Sequence, residues 1–278
     1  MKLLRFEIYK IFSKPRTYIA YGAILIIVLL IEFALKASGQ EFLDFLLNAF
    51  KDNFELEGNI LNGYLVSYII LQTLIIQMPL LVALVTGDLI SGEASSGTIK
   101  ILLTKPNSRS SIYFAKWLGG EIYTISIVLL LGLLSLTFGL ALFGDGDLMV
   151  LKSDGVDIIQ SQDLMWRFGL AFCFAVLGLS VIASLSMMIS SFVDNSITPI
   201  IITMAIIILF TIIGTLDVPV FDVIRPYLFT THMIVWKNMF DQNLDMNLIW
   251  ISTFALILHS AVFYFVGRYH FVHKDILN

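Results

Sequence analysis

The sequence predicts an all-α polytopic membrane protein. Six transmembrane helices are expected, with an N-terminal amphipathic interfacial helix and a re-entrant outer segment before the last helix. Three observations point there. Hydrophobic residues make up 58% of the 278 and charged residues only 14%, against about 25% charged in ordinary soluble domains. Six apolar runs each come near the roughly 20 residues that cross a hydrocarbon core. The Lys and Arg residues are segregated along the chain instead of being scattered through it.

Residues 1–14 come first. Leu4, Ile8, Ile11 and Phe12 fall on one helical stripe while Lys2 and Lys10 point away from it, and Pro15 breaks the helix before the first span. This is the pattern of a helix in the membrane surface with its cations near anionic headgroups; a disordered basic tail is the alternative. The spans fall at about 17–35, 64–86, 118–143, 166–190, 198–216 and 248–267. The first lacks the small-x-small cleavage pattern of a signal peptide, with Leu35 two residues before Ala37, and is read as a retained helix. Beyond it Phe42, Leu46, Phe50 and Phe54 recur every four residues, suggesting a short outer helix. Residues 191–197 form a tight turn. The connection 217–247 contains Pro219 and Pro226 and is too apolar for a solvated loop. It either dips back into the outer leaflet as half-helices enclosed by protein, the preferred reading, or forms an ordered cap.

Orientation follows from charge. Eleven of the 17 Lys and Arg residues lie in the N-terminal segment, the 87–117 connection and the C-terminal tail. The loops on the other side hold the remaining six, among acids such as Asp145, Asp147, Asp154, Asp157 and Asp163. Positive charge marks the cytoplasmic side. Both termini and residues 87–116 are therefore expected in the cytoplasm, in a single multi-pass domain, 1–278, of the cytoplasmic (inner) membrane.

The 87–116 segment reads GDLISGEASSGTIKILLTKPNSRSSIYFAK. Its Gly92–Thr98 stretch is superficially like a phosphate-binding loop, but no Lys stands between Gly97 and Thr98 and no strand precedes it, so no nucleotide binding is expected of this chain. As local structure, Thr98 can cap a short helix over Ile99–Lys105 that ends at Pro106. Ser108 and Arg109 then lead through Ile112 and Lys116 into the third span. A short exposed helix with cationic ends suits docking to a soluble partner; an ordinary positive-inside loop is the competing reading.

The spacing of Glu93, Gly97, Thr98, Lys100, Leu102, Leu103, Thr104, Pro106, Ser108, Arg109, Ile112 and Lys116 resembles that of type-2 ABC-transporter permeases. The layout of the whole chain is similar too: basic N-terminal helix, six spans, tight 191–197 turn, interrupted outer segment and basic tail. The resemblance implies a stand-alone transmembrane subunit with an ABCG-like exporter fold, a permease homodimer, and a separate ATP-binding-cassette ATPase that supplies the ATP and Mg chemistry. It also implies that Glu93, Gly97, Thr98, Lys100, Pro106, Arg109 and Lys116 serve coupling to that ATPase. Two rival readings stay open: an ATPase-driven anchor or force-transmitting subunit with no cargo, and an intramembrane enzyme.

For the enzyme no chemistry is visible. Neither a Gly-x-Ser-x-Gly elbow nor a His-Glu-x-x-His helix occurs, and no catalytic residue is assigned. His270 and His273 are spaced like a metal pair without a third ligand nearby, so no metal site is assigned. His232 and His259 read as isolated packing or capping residues. Cys173, the single cysteine, reads as a small packing residue. No nucleic-acid partner is expected. Charge inside the spans is nearly absent, with Glu32 near an outer end and Glu121 near an inner one, which argues against ion-coupled transport. The second span carries Tyr64, Tyr68 and Gln72 on one face and Thr73 and Gln77 on another; the fifth aligns Met204, Ile208, Thr211 and Thr215. In the resembled family these two helices flank the path at the dimer interface. Gln72, Thr73, Gln77, Met204, Thr211 and Thr215 are therefore candidate cargo-path residues, with helix–helix hydrogen bonding as the plainer reading. Ala171, Ala175 and Gly178 look like close-packing positions in the fourth span.

Overall fold

The computed structural model describes residues 2–47, 60–74, 76–104, 106–151 and 156–274. Phe50 and Phe54 of the expected outer helix, and Lys105, lie outside the described residues.

Helix α1 (Lys2–Ser13) ends two residues before Pro15, which opens α2 (Pro15–Leu47) at the first helical position, where a missing N–H costs nothing. Within α2, Ser38 leaves helical geometry (φ −133°, ψ 18°). The second apolar run forms two helices, α3 (Gly63–Thr73) and α4 (Gln77–Thr86), bent by 57°. Pro79, near the start of α4, has no N–H and its ring excludes a continuous helix through the preceding turn. Five further helices are long and apolar enough to span: the Pro15–Glu41 part of α2, α7 (Arg109–Phe143), α8 (Ser161–Phe192), α9 (Thr198–Thr215) and α12 (Met246–His273), with the bent pair as the sixth if counted as one span.

Residues 87–116, expected as a polar connection with one short helix over Ile99–Lys105, are mostly helical. After the single residue Gly87, α5 (Asp88–Ser95) follows α4, and α6 (Thr98–Leu103) follows a turn. Gly97 in that turn has φ +71°, a left-handed conformation natural to glycine. Thr98 is thus the first residue of α6 and not its cap. Ser108 does cap α7, accepting from the Ser111 N–H. An antiparallel hairpin absent from the sequence reading, β1 (Leu148–Leu151) with β2 (Val156–Ile159), pairs Leu148 with Ile159. Asn62, the N-cap of α3, donates to the Asp147 carbonyl at 2.7 Å and so ties this hairpin to the bundle.

The core is built around α7 and α8. Helices α3 and α7 approach backbone to backbone: a Cβ on Gly63 would stand 2.6 Å from Gly139 backbone, and one on Gly139 2.9 Å from the Gly63 carbonyl oxygen. Ser67 hydroxyl donates across this contact to the Ser135 carbonyl at 2.8 Å. Small residues and hydroxyls at such crossings are how helices associate where lipid removes the hydrophobic driving force. The 217–240 segment folds into short pieces: α10 (Pro219–Asp222), a 3-10 turn at Arg225–Tyr227, α11 (Phe229–Met233) and a 3-10 stretch at Ile234–Phe240. The first two bury nothing, whereas Phe229, Trp236 and Phe240 are buried. Arg167 on α8 holds the end of the segment, donating to the Met239 and Asp241 carbonyls at 2.9 and 2.6 Å.

Candidate functional site

At the basic end of the bundle, α1, α5 and the start of α7 meet through charge. Glu93 and Lys116, expected on a docking surface, are both buried there: Lys116 has 0% of its surface exposed. Its ammonium bonds Glu93 at 2.6 Å and Glu7 at 3.1 Å. Lys10 pairs with Glu93 as well, and reaches Glu7 at 3.4 Å. Two carboxylates and two ammonium groups thus neutralise one another. Beside them Lys14 and Arg16 each hold Asp88, the first residue of α5, at 2.7 Å. Burial alone would push the Glu93 carboxyl up, but Lys116 and Lys10 outweigh it and hold it below its ordinary value. For Lys10, burial pulls down, and Glu93 and Glu7 together raise it instead. The stripe of Leu4, Ile8, Ile11 and Phe12 is half-buried to buried, but α1 also turns Glu7 inward. Glu7 is the member the sequence reading missed. One signal pointed to it: an acid in the helical register of Leu4 and Ile11, on the apolar side of an otherwise basic helix.

Helix α6 hangs from this junction. Ile99 and Leu102 are buried beneath it, while Thr98, Lys100, Thr104 and Pro106 are exposed. Ile101, not singled out from sequence, is 65% exposed at its centre. Thr98 hydroxyl lies 2.9 Å from that of Ser96. Arg109 neither pairs with Glu93 nor faces outward: its guanidinium donates to the Val272 and Lys274 carbonyls at 3.1 and 2.7 Å, closing the end of α12. Gly92 to Ser95 are helical, so the glycine–serine stretch forms no phosphate-cradling loop.

Farther along the bundle a cavity of about 360 Å³ opens at the break between α3 and α4. Three of the expected path residues, Met204, Thr211 and Thr215, line it beside Ile208. Gln72, Thr73 and Gln77 do not. Gln72 is exposed and accepts from Lys237 at 3.3 Å, and the Thr73 hydroxyl turns back to the Ile69 carbonyl. Gln77 opens α4 with its Oε1 buried and unbonded among the described residues. The far wall comes from α8 through Ala171, Ala175 and Gly178, the positions read as close packing, and from Thr230, Met233 and Trp236. Gly178 does meet Met233, at 3.1 Å from the place a Cβ would take.

The other groups singled out from sequence fall elsewhere. Glu32 is fully buried on α2 with both oxygens unbonded among the described residues, and Glu121 accepts from Ser184 at 3.4 Å. His232 bridges Ser252 and the Pro226 carbonyl, and His259 bonds the Ala255 and Tyr227 carbonyls. His270 stacks on Phe192 while His273 bonds the Tyr269 carbonyl. Cys173, expected to pack, is exposed on α8.

Comparison with known proteins agrees with this architecture. Residues 1–275 match the family described as ABC-2 family transporter protein. Over 102 residues the chain is 34% identical to the probable ABC transporter permease protein NosY of Stutzerimonas stutzeri, a match that takes in 36% of this chain and spans 37% of that relative's length. The multi-pass chain with α6 at the end of its bundle belongs to the ABC-2 transporter family and is a transmembrane subunit of an ABC transporter.

Proposed function

We propose that this subunit is the permease of an exporter that moves an amphiphilic or hydrophobic cargo outward on ATP hydrolysed by a separate ATPase. In this reading two copies form the permease, both termini face the cytoplasm, and the membrane is the cytoplasmic one. The observation that carries it is the ion network. It joins α1 and α5 to the base of α7, so a push on α6 is delivered to the helices around the cavity. The cavity supports the cargo class: its walls are aliphatic and aromatic, with hydroxyls from Thr211, Thr215 and Thr230 as the polar groups. Such a lining accommodates a hydrocarbon body with few hydrogen-bonding groups. Coupling in this reading rests on exposed Thr98, Lys100, Ile101 and Pro106 as the contact surface. Gly97 sets the turn, and Glu93, Lys116 and Arg109 hold the base on which that surface sits.

The test is purification from membranes. The isolated chain is expected to bind no ATP, and to co-purify with an ATPase subunit. In inverted vesicles containing the complex, ATP is expected to drive accumulation of a fluorescent hydrophobic dye, and Met204→Trp, which fills the cavity, is expected to stop accumulation while hydrolysis continues. Hydrolysis without accumulation of any hydrophobic probe would favour the force-transmitting subunit.

A further inference from the structure

Three cavities meet at the basic end of the bundle, away from the cavity between α4 and α9. Two, each of about 540 Å³, share Ser110 and Arg268 as a common wall. The third, of about 280 Å³, adjoins them through Phe114, Tyr264 and Phe265, and runs deeper past Trp117 and Ala261. Together they form one groove between α1, α7 and α12, cationic at its mouth and aromatic below.

Arg268 is half-buried at that mouth, and its one hydrogen bond among the described residues goes to the Ser110 hydroxyl at 3.3 Å. No carboxylate reaches it among those residues, whereas Lys10, Lys14, Arg16 and Lys116 at the same end of the molecule are all paired. A guanidinium has five donors, so among the described residues most of this one's capacity is unused. Ser110 stands in the first turn of the 35-residue α7, whose N-terminal peptide dipoles add positive potential to the same place. Phosphate oxygens fit such a group bidentately. Phe114 follows Ser110 by one helical turn, and Phe265 precedes Arg268 by about one turn, so the apolar floor begins roughly 5 Å below the charge. An anion joined to a hydrocarbon chain has that same order of groups.

We propose that this groove holds a glycerophospholipid with an anionic headgroup, its phosphate on Arg268 and Ser110 and one acyl chain in the cavity between Phe114, Trp117 and Phe265. A free phosphate would use the mouth and leave the deeper cavity bare. The inference rests on the chain crossing a membrane and not on what the transporter carries.

Native mass spectrometry of the complex, purified in mild detergent with added phosphatidylglycerol, tests it. One phosphatidylglycerol per copy of this chain is expected to survive dissociation of the detergent, in preference to phosphatidylethanolamine. Arg268→Gln is expected to lower that occupancy about tenfold or more, the loss anticipated from charged hydrogen bonds. Ala261→Trp, which fills the deeper cavity and leaves Arg268 in place, is expected to lower it too. Arg5→Gln, which removes the same charge from an exposed position of α1 outside the groove, is expected to leave it unchanged. Equal losses from Arg5→Gln and Arg268→Gln would overturn the site in favour of diffuse attraction. Full displacement by inorganic phosphate would overturn the lipid, as would full retention in Ala261→Trp.

Discussion

Removing the Lys116 ammonium would leave Glu7 and Glu93 facing one another with Lys10 as their remaining counter-charge. Breaking a buried pair from one side costs about 3–5 kcal/mol, so Lys116→Met is expected to lower the unfolding temperature of the detergent-solubilised protein markedly. Lys10→Met should cost less, because the Lys10 side chain is 26% exposed and water can replace part of what is lost. The same network sets a dependence on pH. Glu93 titrates below its ordinary 4.5 in the folded protein, so its contribution is complete above 4.5 and is lost as pH falls through the depressed value. Lys10 titrates above its ordinary 10.5, so its contribution is complete below 10.5 and is lost as pH rises past that. Protease cleavage within α1 should accordingly stay slow between these limits and accelerate beyond either; acceleration at neutral pH would disprove the pairing. Sequence marked Glu93 and Lys116 through family resemblance but assigned both to coupling with the ATPase. A pair 23 residues apart gives no local sign of contact, and Glu7 lies 109 residues from Lys116.

Among the elements, α6 presents an apolar residue outward at its centre, Ile101. Ile101→Asp is expected to change stability by no more than about 0.5 kcal/mol, as for ordinary surface substitutions, yet to reduce co-purification of the ATPase several-fold. Retention of the full complex would move the contact elsewhere. Reversing Glu93 and Arg109 together, by contrast, is expected to loosen α1 and the end of α12 rather than to act at a docking surface, since each holds a different internal partner. At the α3–α7 crossing, Gly139→Ala places a methyl 2.9 Å from a carbonyl oxygen. Overpacking of this kind costs about 1–3 kcal/mol, readable as a lower thermal midpoint. The long spans were legible because their apolar runs exceed any other use for such sequence. The break in the second span was not, although Pro79 signalled it, because span-length averaging of hydropathy hides a three-residue interruption. Helix α5 was hidden by its Gly and Ser content; Lys14 and Arg16 on Asp88, a contact between segments more than 70 residues apart, help hold it.

At the scale of the molecule, burial is uneven. Pro199 and Thr203 are the buried residues of α9, which otherwise presents Ile201, Ile208, Leu209 and Ile212 outward beside the cavity. If the two copies of the proposed homodimer meet along this helix, a cysteine at Ile201 in a Cys173→Ser background should cross-link to its twin in membranes. The background substitution is needed because Cys173 is itself exposed. Monomer alone after oxidation would place the partner on another face. Three of the six candidate path residues, those on α9, line the cavity, and their helical spacing was legible in an otherwise apolar run. The other three lie on either side of the 57° bend, Gln72 and Thr73 before it and Gln77 after it, and do not line the cavity.

The buried Glu7–Lys116 contact also imposes an order on biosynthesis. Glu7 leaves the ribosome 109 residues before its partner, which at about 5–20 residues per second is a delay of roughly 5–20 s. During that interval one helical hairpin's worth of apolar chain, the first two spans, must enter the bilayer while the first helix waits undocked, its carboxylate hydrated. Attachment of the N-terminus through this contact therefore follows synthesis of the third span's base. Chains arrested before residue 116 should expose residues 2–13 to protease, and chains arrested well beyond it should not.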